Sequence, residues 1–398
     1  MNKNKNIYLL CAIAFLQGLV FYGPVATIFR QHRGISISDI FLLETIFIIL
    51  MLVFEIPWGF FADRIGYKKT LLASFFLFFI SKIIFYFSHS FIGFLGEAIT
   101  AALAISGMSG CDSALIYSTV EGKNSDKAFS YYSAAGTAGL LMAALASTLI
   151  LKYSIDLTAF FTIIPYGIAF VITFYLVDAD KRDHREKCNT LIDSIKNLWQ
   201  NKSIFIFVMA MGFINESTHA VCVFLNQPLY ERSGIGIIYF GLIKAVMQVI
   251  CLASAKAYKL SRRVGVKKLY IISVITIISA NMFLLYFKNW FMVITMIALI
   301  ELAFALCQPL AHTIENDSII TGDRATLLSA YAMAANLIGG LSYILIGLAS
   351  DVSLEGGIIV CAILEVAALV LIIIFFRGGE HKEKNAESTE DTENAEKD

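Results

Sequence analysis

The chain is built from long apolar runs punctuated by short polar stretches. Twelve windows stand out, at roughly 7–29, 38–61, 70–88, 91–117, 128–151, 157–177, 204–226, 235–255, 268–286, 290–311, 326–349 and 355–376. Each approaches or exceeds the length a helix needs to cross the hydrocarbon core of a bilayer. The pattern therefore predicts an all-α membrane protein of about twelve transmembrane helices. One hydrophilic insertion, 178–203, separates the sixth window from the seventh and divides the chain into halves, 1–177 and 204–376. Within it Leu191, Ile192, Ile195 and Leu198 recur at helical spacing opposite Asp193, Lys196 and Asn197, which predicts a cytoplasmic linker carrying an amphipathic helix. Beyond Phe376 the sequence turns charged and repetitive, so 377–398 is expected to be a disordered acidic tail.

Composition agrees with this pattern. The 398 residues are 58% hydrophobic, and the mean hydropathy is +0.73, more apolar than a soluble globule. The first apolar run is too long for a signal-peptide core and has no small-residue cleavage site, so it is read as a retained helix. A formal net charge of zero conceals an asymmetry, because the tail is acidic while the loops around Arg64–Lys69, Lys123–Lys127 and Lys256–Lys268 are basic. Those loops all fall on one side, which places that side and both termini in the cytoplasm of a cell-membrane protein. Arg30–Arg33, on the other side, breaks the rule. Six of the seven cysteines lie in apolar windows and Cys188 lies in the linker, so no disulfide framework or metal spacing is present.

The shortest charged connection is the most informative. Gly59-Phe-Phe-Ala-Asp63-Arg64-Ile-Gly66-Tyr-Lys68-Lys69-Thr70 returns the chain into the membrane within a few residues. Asp63 ends a helix, where the negative pole of the macrodipole demands a donor or cationic partner. Gly59 allows close approach of a neighbouring helix and Gly66 allows the positive φ of a sharp turn. A basic loop alone accounts for Arg64, Lys68 and Lys69 but not for the Asp and the two Gly. The spacing Gly-x3-Asp-Arg-x-Gly-x-Lys-Lys resembles the signature loop between the second and third helices of the major facilitator superfamily of transporters. Sliding the first half along the chain places Arg64-Ile-Gly66-Tyr-Lys68-Lys69 on Arg263-Val-Gly265-Val-Lys267-Lys268, and Ser130 and Tyr132 on Ser329 and Tyr331. The resemblance thus implies two six-helix pseudo-repeat halves with a binding cavity between them. It also implies that Asp63 caps the start of the eleventh helix near Thr326–Leu328, with Arg64 reaching Asp112. A Gly-x3-Asp fragment recurs at Gly347–Asp351, on the opposite side, and carries little weight by itself.

Ser109-Gly110-Cys111-Asp112-Ser113 and Phe54-Glu55-Ile56-Pro57-Trp58 resemble the drug-efflux-like branch of bacterial facilitators. The Gly-Pro antiporter motif of that branch is missing from the fifth window, which has Gly136 and Gly139 but no proline.

Ionisable groups at membrane depth are costly and functional by default. Asn215, Glu216 and His219 lie in the middle of the seventh window, with Glu216 and His219 on one helix face. Lys244 in the eighth lies at similar depth, so a Glu216–Lys244 pair is expected, with Glu216 as proton carrier, Lys244 its partner and His219 a relay or solute contact. Glu301 in the tenth window is the substitute. Lys82 and Glu97 match in depth and read as a structural ion pair, while Glu365 in the twelfth window is expected to pair locally or snorkel. Gln17, Tyr22, Gln248, Asn281 and Asn336 supply uncharged contacts, whether to a solute or between helices.

No catalytic triad, metal set or phosphate-cradling loop competes, so the chain is not expected to be an enzyme and no cofactor is implied. The expected function is alternating-access secondary transport, driven by a proton or other coupling ion, with export of a small, largely apolar compound as the first reading. Proton-coupled or facilitated nutrient uptake is the second, and a non-transporting sensor or scaffold the third. The expected partners are a small-molecule substrate and the lipid bilayer, with no nucleic acid, and the chain is expected to act as a monomer.

Overall fold

The computed structural model describes residues 5–120, 125–177, 202–252, 254, 257–317 and 324–395. The expected amphipathic linker helix lies outside them. Among the described residues eleven helices are long and apolar enough to cross a membrane. They are α1 (Lys5–His32), α2 (Ile37–Ile65), α3 (Tyr67–Phe87), α4 (Phe91–Thr119), α5 (Ser125–Ile150), α6 (Ile155–Thr173), α7 (Lys202–Arg232), α9 (Val266–Tyr286), α10 (Trp290–Asn316), α11 (Leu327–Val352) and α12 (Leu354–Gly378). A shorter apolar helix, α8 (Ile237–Cys251), completes the twelve. The last helix continues to Ala395, so the tail expected to be disordered is helical in this structure. Its Ala, Glu and Lys residues are good helix formers, which a count of apolar residues overlooks.

With twelve crossings, both termini and the Gly59–Thr70 loop share one face, here called proximal; the opposite face is distal. At the distal face serines start the helices, Ser90 for α4 and Ser154 for α6, their hydroxyls accepting backbone N–H bonds from Gly93 and Asp156 at 3.3 and 3.1 Å. At the proximal face Gly66 and Gly265 turn the chain with φ of +92° and +91°, a region closed to most side chains.

The internal repeat extends further than its sequence trace. In the first half Arg33, at the end of α1, pairs with Asp156 at the start of α6, 2.6 Å away. In the second half Arg232, at the end of α7, pairs with Glu355 at the start of α12, also at 2.6 Å. Both α1 and α7 are interrupted at matching depth, α1 by a 3-10 turn at Gly23–Val25 and α7 by a π-turn at Ala220–Leu225. Such interruptions free backbone groups and concentrate at functional segments.

The halves meet along the distal part of the bundle, where α2 packs on α11 and α5 on α8. Gln227 Oε1 accepts the backbone N–H groups of Thr27 and Ile28 at 2.8 and 3.2 Å. Thr45 donates to the Gly340 carbonyl at 3.0 Å, and the Phe41 ring lies 5.3 Å from Tyr343 and 5.4 Å from Phe224. Asp351 receives both the backbone N–H of Ser38, at 3.1 Å, and its hydroxyl. Phe41, Phe224 and Tyr343 in this seam are buried. By contrast Phe60 and Phe61, at the proximal end of α2, are exposed. The contacts between the halves among the described residues named here therefore lie on the distal side.

Candidate functional site

The charged and amide side chains at membrane depth fall into three groups. The first lies beside the distal seam, on α7 and α11. Tyr343 on α11 donates a short hydrogen bond to Glu216 Oε2 on α7, and His219 Nδ1 lies 2.8 Å from the same hydroxyl. A phenol has one proton to give. With that proton directed at Glu216, Nδ1 of His219 is the donor to the tyrosine hydroxyl. The second carboxylate oxygen of Glu216 is left for a proton or solute. His219 is exposed although it lies deep among the helices, as a group lining an open space would be. Tyr343 is the residue that sequence reasoning missed; aromatic residues are abundant here, and nothing in the α11 sequence distinguishes it from a packing tyrosine.

The second group corrects an expected pair. Lys244 does not meet Glu216; it bonds Glu301 Oε1 on α10 at 3.1 Å. Cys251, two turns below Lys244 on the same face of α8, donates to Glu301 Oε2 at 3.3 Å. The reason is rotational. Equal depth places two residues in one layer, but α8 packs its Lys244 face on α10, whereas the Glu216 face of α7 turns to α11. Beside these groups Gln308 donates to Asn215 at 2.9 Å, and Asn336 is half-buried on α11.

The third group lies in the first half, near the distal end. Lys82 and Glu97 are within 3.9 Å, as expected, but they belong to a larger cluster. Arg30 lies 3.3 Å from Glu44 and 3.8 Å from Glu97, and Lys82 donates to the Tyr22 hydroxyl at 3.0 Å. Arg30, which the charge-sidedness rule left as an exception, is thus a buried member of a neutral four-charge cluster. Nothing in the sequence around Glu44 shows that it meets Arg30, because depth along a helix does not fix which side chains face one another. Tyr22 belongs here rather than to a solute site. Gln17 contacts Met108 Sδ at 3.7 Å. Glu365 pairs locally, fully buried, accepting from Asn281 at 2.7 and 2.9 Å and from Ser217 at 3.3 Å.

In the signature loop Asp63 is exposed; its expected contact at Thr326–Leu328 falls partly outside the described residues, and Asp112 accepts from Tyr132 at 2.9 Å and from the Ser113 backbone at 2.6 Å. A Cβ at Gly59 would meet nothing within 4 Å, so no helix approaches it here, contrary to the sequence expectation. The Gly347–Asp351 fragment, which looked incidental, mirrors the role expected of Gly59–Asp63. A Cβ at Gly347 would lie 3.0 Å from the Cα of Ser38, and Asp351 caps the start of α2 across the seam.

These two aspartates predict opposite effects. Asp351→Asn is expected to shift the balance away from the distal-closed arrangement, and Asp63→Asn toward it. The scale is about 1 kcal/mol, or about fivefold in the ratio of states, as for an anion at an accessible helix start. Thiol labelling of single cysteines placed at each face reads this ratio. Unchanged accessibility in both variants would refute the paired-latch reading.

Comparison with known proteins places this geometry. The family model described as Major Facilitator Superfamily matches residues 8–258 and 250–397. The fold is similar to the crystal structure of the nucleoside transporter NupG (TM-score 0.79, 16% identity, covering 95% of this chain and 99% of that one). It is also similar to the D-xylose-proton symporter (TM-score 0.72, 15% identity, 92% and 97%). A curated relative from Buchnera aphidicola subsp. Schizaphis graminum (strain Sg), described as an uncharacterized transporter, is 28% identical over 158 residues. That match spans 39% of this chain and 38% of the relative's length.

Proposed function

Because the chain belongs to the major facilitator superfamily, a family of membrane transporters, we propose that it is a proton-coupled symporter that takes up a small polar solute by alternating access. Its proximal face is then cytoplasmic. The observation that carries this reading is the Glu216–Tyr343–His219 group, a carboxylate with one oxygen tied and one free, placed where the two halves part. Lipid-depth carboxylates of this kind suit proton relays. A proton entering from the distal side loads Glu216, and release follows when the space opens proximally.

The lining favours a hydrogen-bonding solute over the largely apolar export substrate expected from sequence. Glu216, His219, Asn215, Gln308 and the Lys244–Glu301 pair offer donors and acceptors that an apolar compound would leave unsatisfied after desolvation. Solved neighbours of the same fold are named for a nucleoside and for D-xylose, both hydrogen-bonding solutes. The test is a solute screen in proteoliposomes with and without an imposed pH gradient, beginning with nucleosides and pentoses. Uptake into the alkaline interior that disappears on collapsing the gradient is expected. Solute movement indifferent to the gradient would establish facilitated diffusion instead, and efflux of apolar dyes alone would restore the export reading.

A further inference from the structure

The four-charge cluster of the first half has no part in the mechanism above, yet one member faces it. Glu44 is on α2, beside Thr45, whose hydroxyl bonds the Gly340 carbonyl of α11. One turn before it, Phe41 packs on Tyr343, the residue that holds Glu216. Glu44 and Glu216 thus belong to opposite halves, Glu44 one turn from the Phe41–Tyr343 contact and Glu216 bonded to the same tyrosine. We propose that Glu44 is a second coupling residue, forming with Glu216 a carboxylate pair across the seam that must carry a proton before the distal face can close.

The surroundings decide which carboxylate takes it. Glu44 has Arg30 on α1 at 3.3 Å, with Glu97 on α4 and Lys82 on α3 beyond, and the Tyr22 hydroxyl near by. A guanidinium in contact favours the ionised form. Glu216 has the Tyr343 hydroxyl of α11 and, behind it, His219 of its own helix; Lys244 of α8 is engaged with Glu301 of α10, and Glu365 of α12 is held by Asn281 and Ser217. The proton therefore belongs on Glu216, and Glu44 stays charged as the sensor. With Glu216 ionised, two like charges in a poorly hydrated seam push α2 from α11; with Glu216 protonated the repulsion vanishes and the seam closes. Arg30 Nε is buried without a hydrogen-bond partner among the described residues, which leaves the guanidinium a donor for re-pairing as the seam opens.

This inference rests on the proton-coupled reading but is tested apart from it. Spin labels at Tyr153→Cys and Lys288→Cys, on the distal loops of the two halves in a cysteine-free background, report the seam as a distance distribution. The closed population of the otherwise unaltered protein is expected to grow as pH falls, by up to about tenfold per unit, the limit for one proton. Glu44→Gln is expected to show a closed population that does not change with pH, whereas Glu44→Asp, which keeps the charge, should retain the dependence and so guards against a folding defect. In proteoliposomes Glu44→Gln should exchange solute but accumulate none. A pH response in Glu44→Gln equal to that of the parent overturns the role of Glu44 while leaving proton-coupled uptake through Glu216 intact. Gradient-independent transport by a parent whose seam still responds to pH, through Glu44, would overturn the uptake reading and leave the carboxylate pair standing.

Discussion

Glu216→Gln is expected to abolish accumulation driven by a pH gradient while leaving solute exchange largely intact. One proton moved down one pH unit is worth about 1.4 kcal/mol, which sustains about a tenfold concentration ratio at equilibrium. A coupled carrier should therefore concentrate its solute by about that factor for each unit and each proton. The variant should settle near a ratio of one. The amide keeps the size of the side chain and can still accept from Tyr343, so the helices should pack as before. Counterflow, in which external labelled solute exchanges for unlabelled solute inside, needs the cavity and the moving halves but no net proton movement. Loss of accumulation with counterflow preserved is the expected signature. Full accumulation in Glu216→Gln with loss in Glu301→Gln would transfer the proton to α10, where Lys244 already neutralises the carboxylate. Accumulation unaffected in both variants would point to another coupling ion.

The second large effect concerns stability. Gly339 on α11 and Gly139 on α5 lie where helices cross within each half. A Cβ at Gly339 would run into the carbonyl oxygen of Gly212 on α7 and, 2.9 Å away, its carbonyl carbon; the Glu216 side chain would also be displaced. A Cβ at Gly139 would strike the Phe15 carbonyl oxygen on α1 and lie 3.0 Å from the Cα of Gly18. In both cases the obstacle is backbone, which cannot rotate aside as a side chain can, so the helix pair must separate along its length. Membrane helices associate largely through such close approach, since lipid supplies no hydrophobic drive between them. Gly139→Ala and Gly339→Ala are each expected to destabilise the protein by about 1–3 kcal/mol, the usual cost of overpacking. Thermal unfolding in detergent should show both at lower midpoints. Gly59→Ala, whose Cβ meets nothing within 4 Å, serves as the comparison and should unfold like the parent. Equal midpoints for all three would mean that the crossings are looser than the structure has them. Gly339→Ala should in addition weaken coupling, because it displaces Glu216.

The number of helices, their order, the division into halves and the family were all legible in the sequence. Those properties follow from local chemistry: runs of apolar residues long enough for a bilayer, the turn-forming glycines of Gly59–Thr70, and a repeat that survives wherever geometry demands the same residue twice. The repeated ion pairs were present as well, because Arg33 and Asp156 recur as Arg232 and Glu355 at corresponding positions, though they lie too far apart in the chain for their contact to be read. Depth along a helix was also readable, and it identified Glu216, His219, Lys244, Glu301, Lys82 and Glu97 as groups within the membrane.

What depth does not fix is direction around the helix axis, since that depends on how twelve cylinders pack and on where they bend. Rotation decided that Lys244 meets Glu301 and not Glu216, that Tyr343 joins Glu216 to His219, and that Arg30 leaves the distal surface to meet Glu44. The relative tilt of the halves decided the rest. Tilt put Asp351 on the start of α2, a contact that depends on how the two halves lean together and that no local pattern of residues can choose.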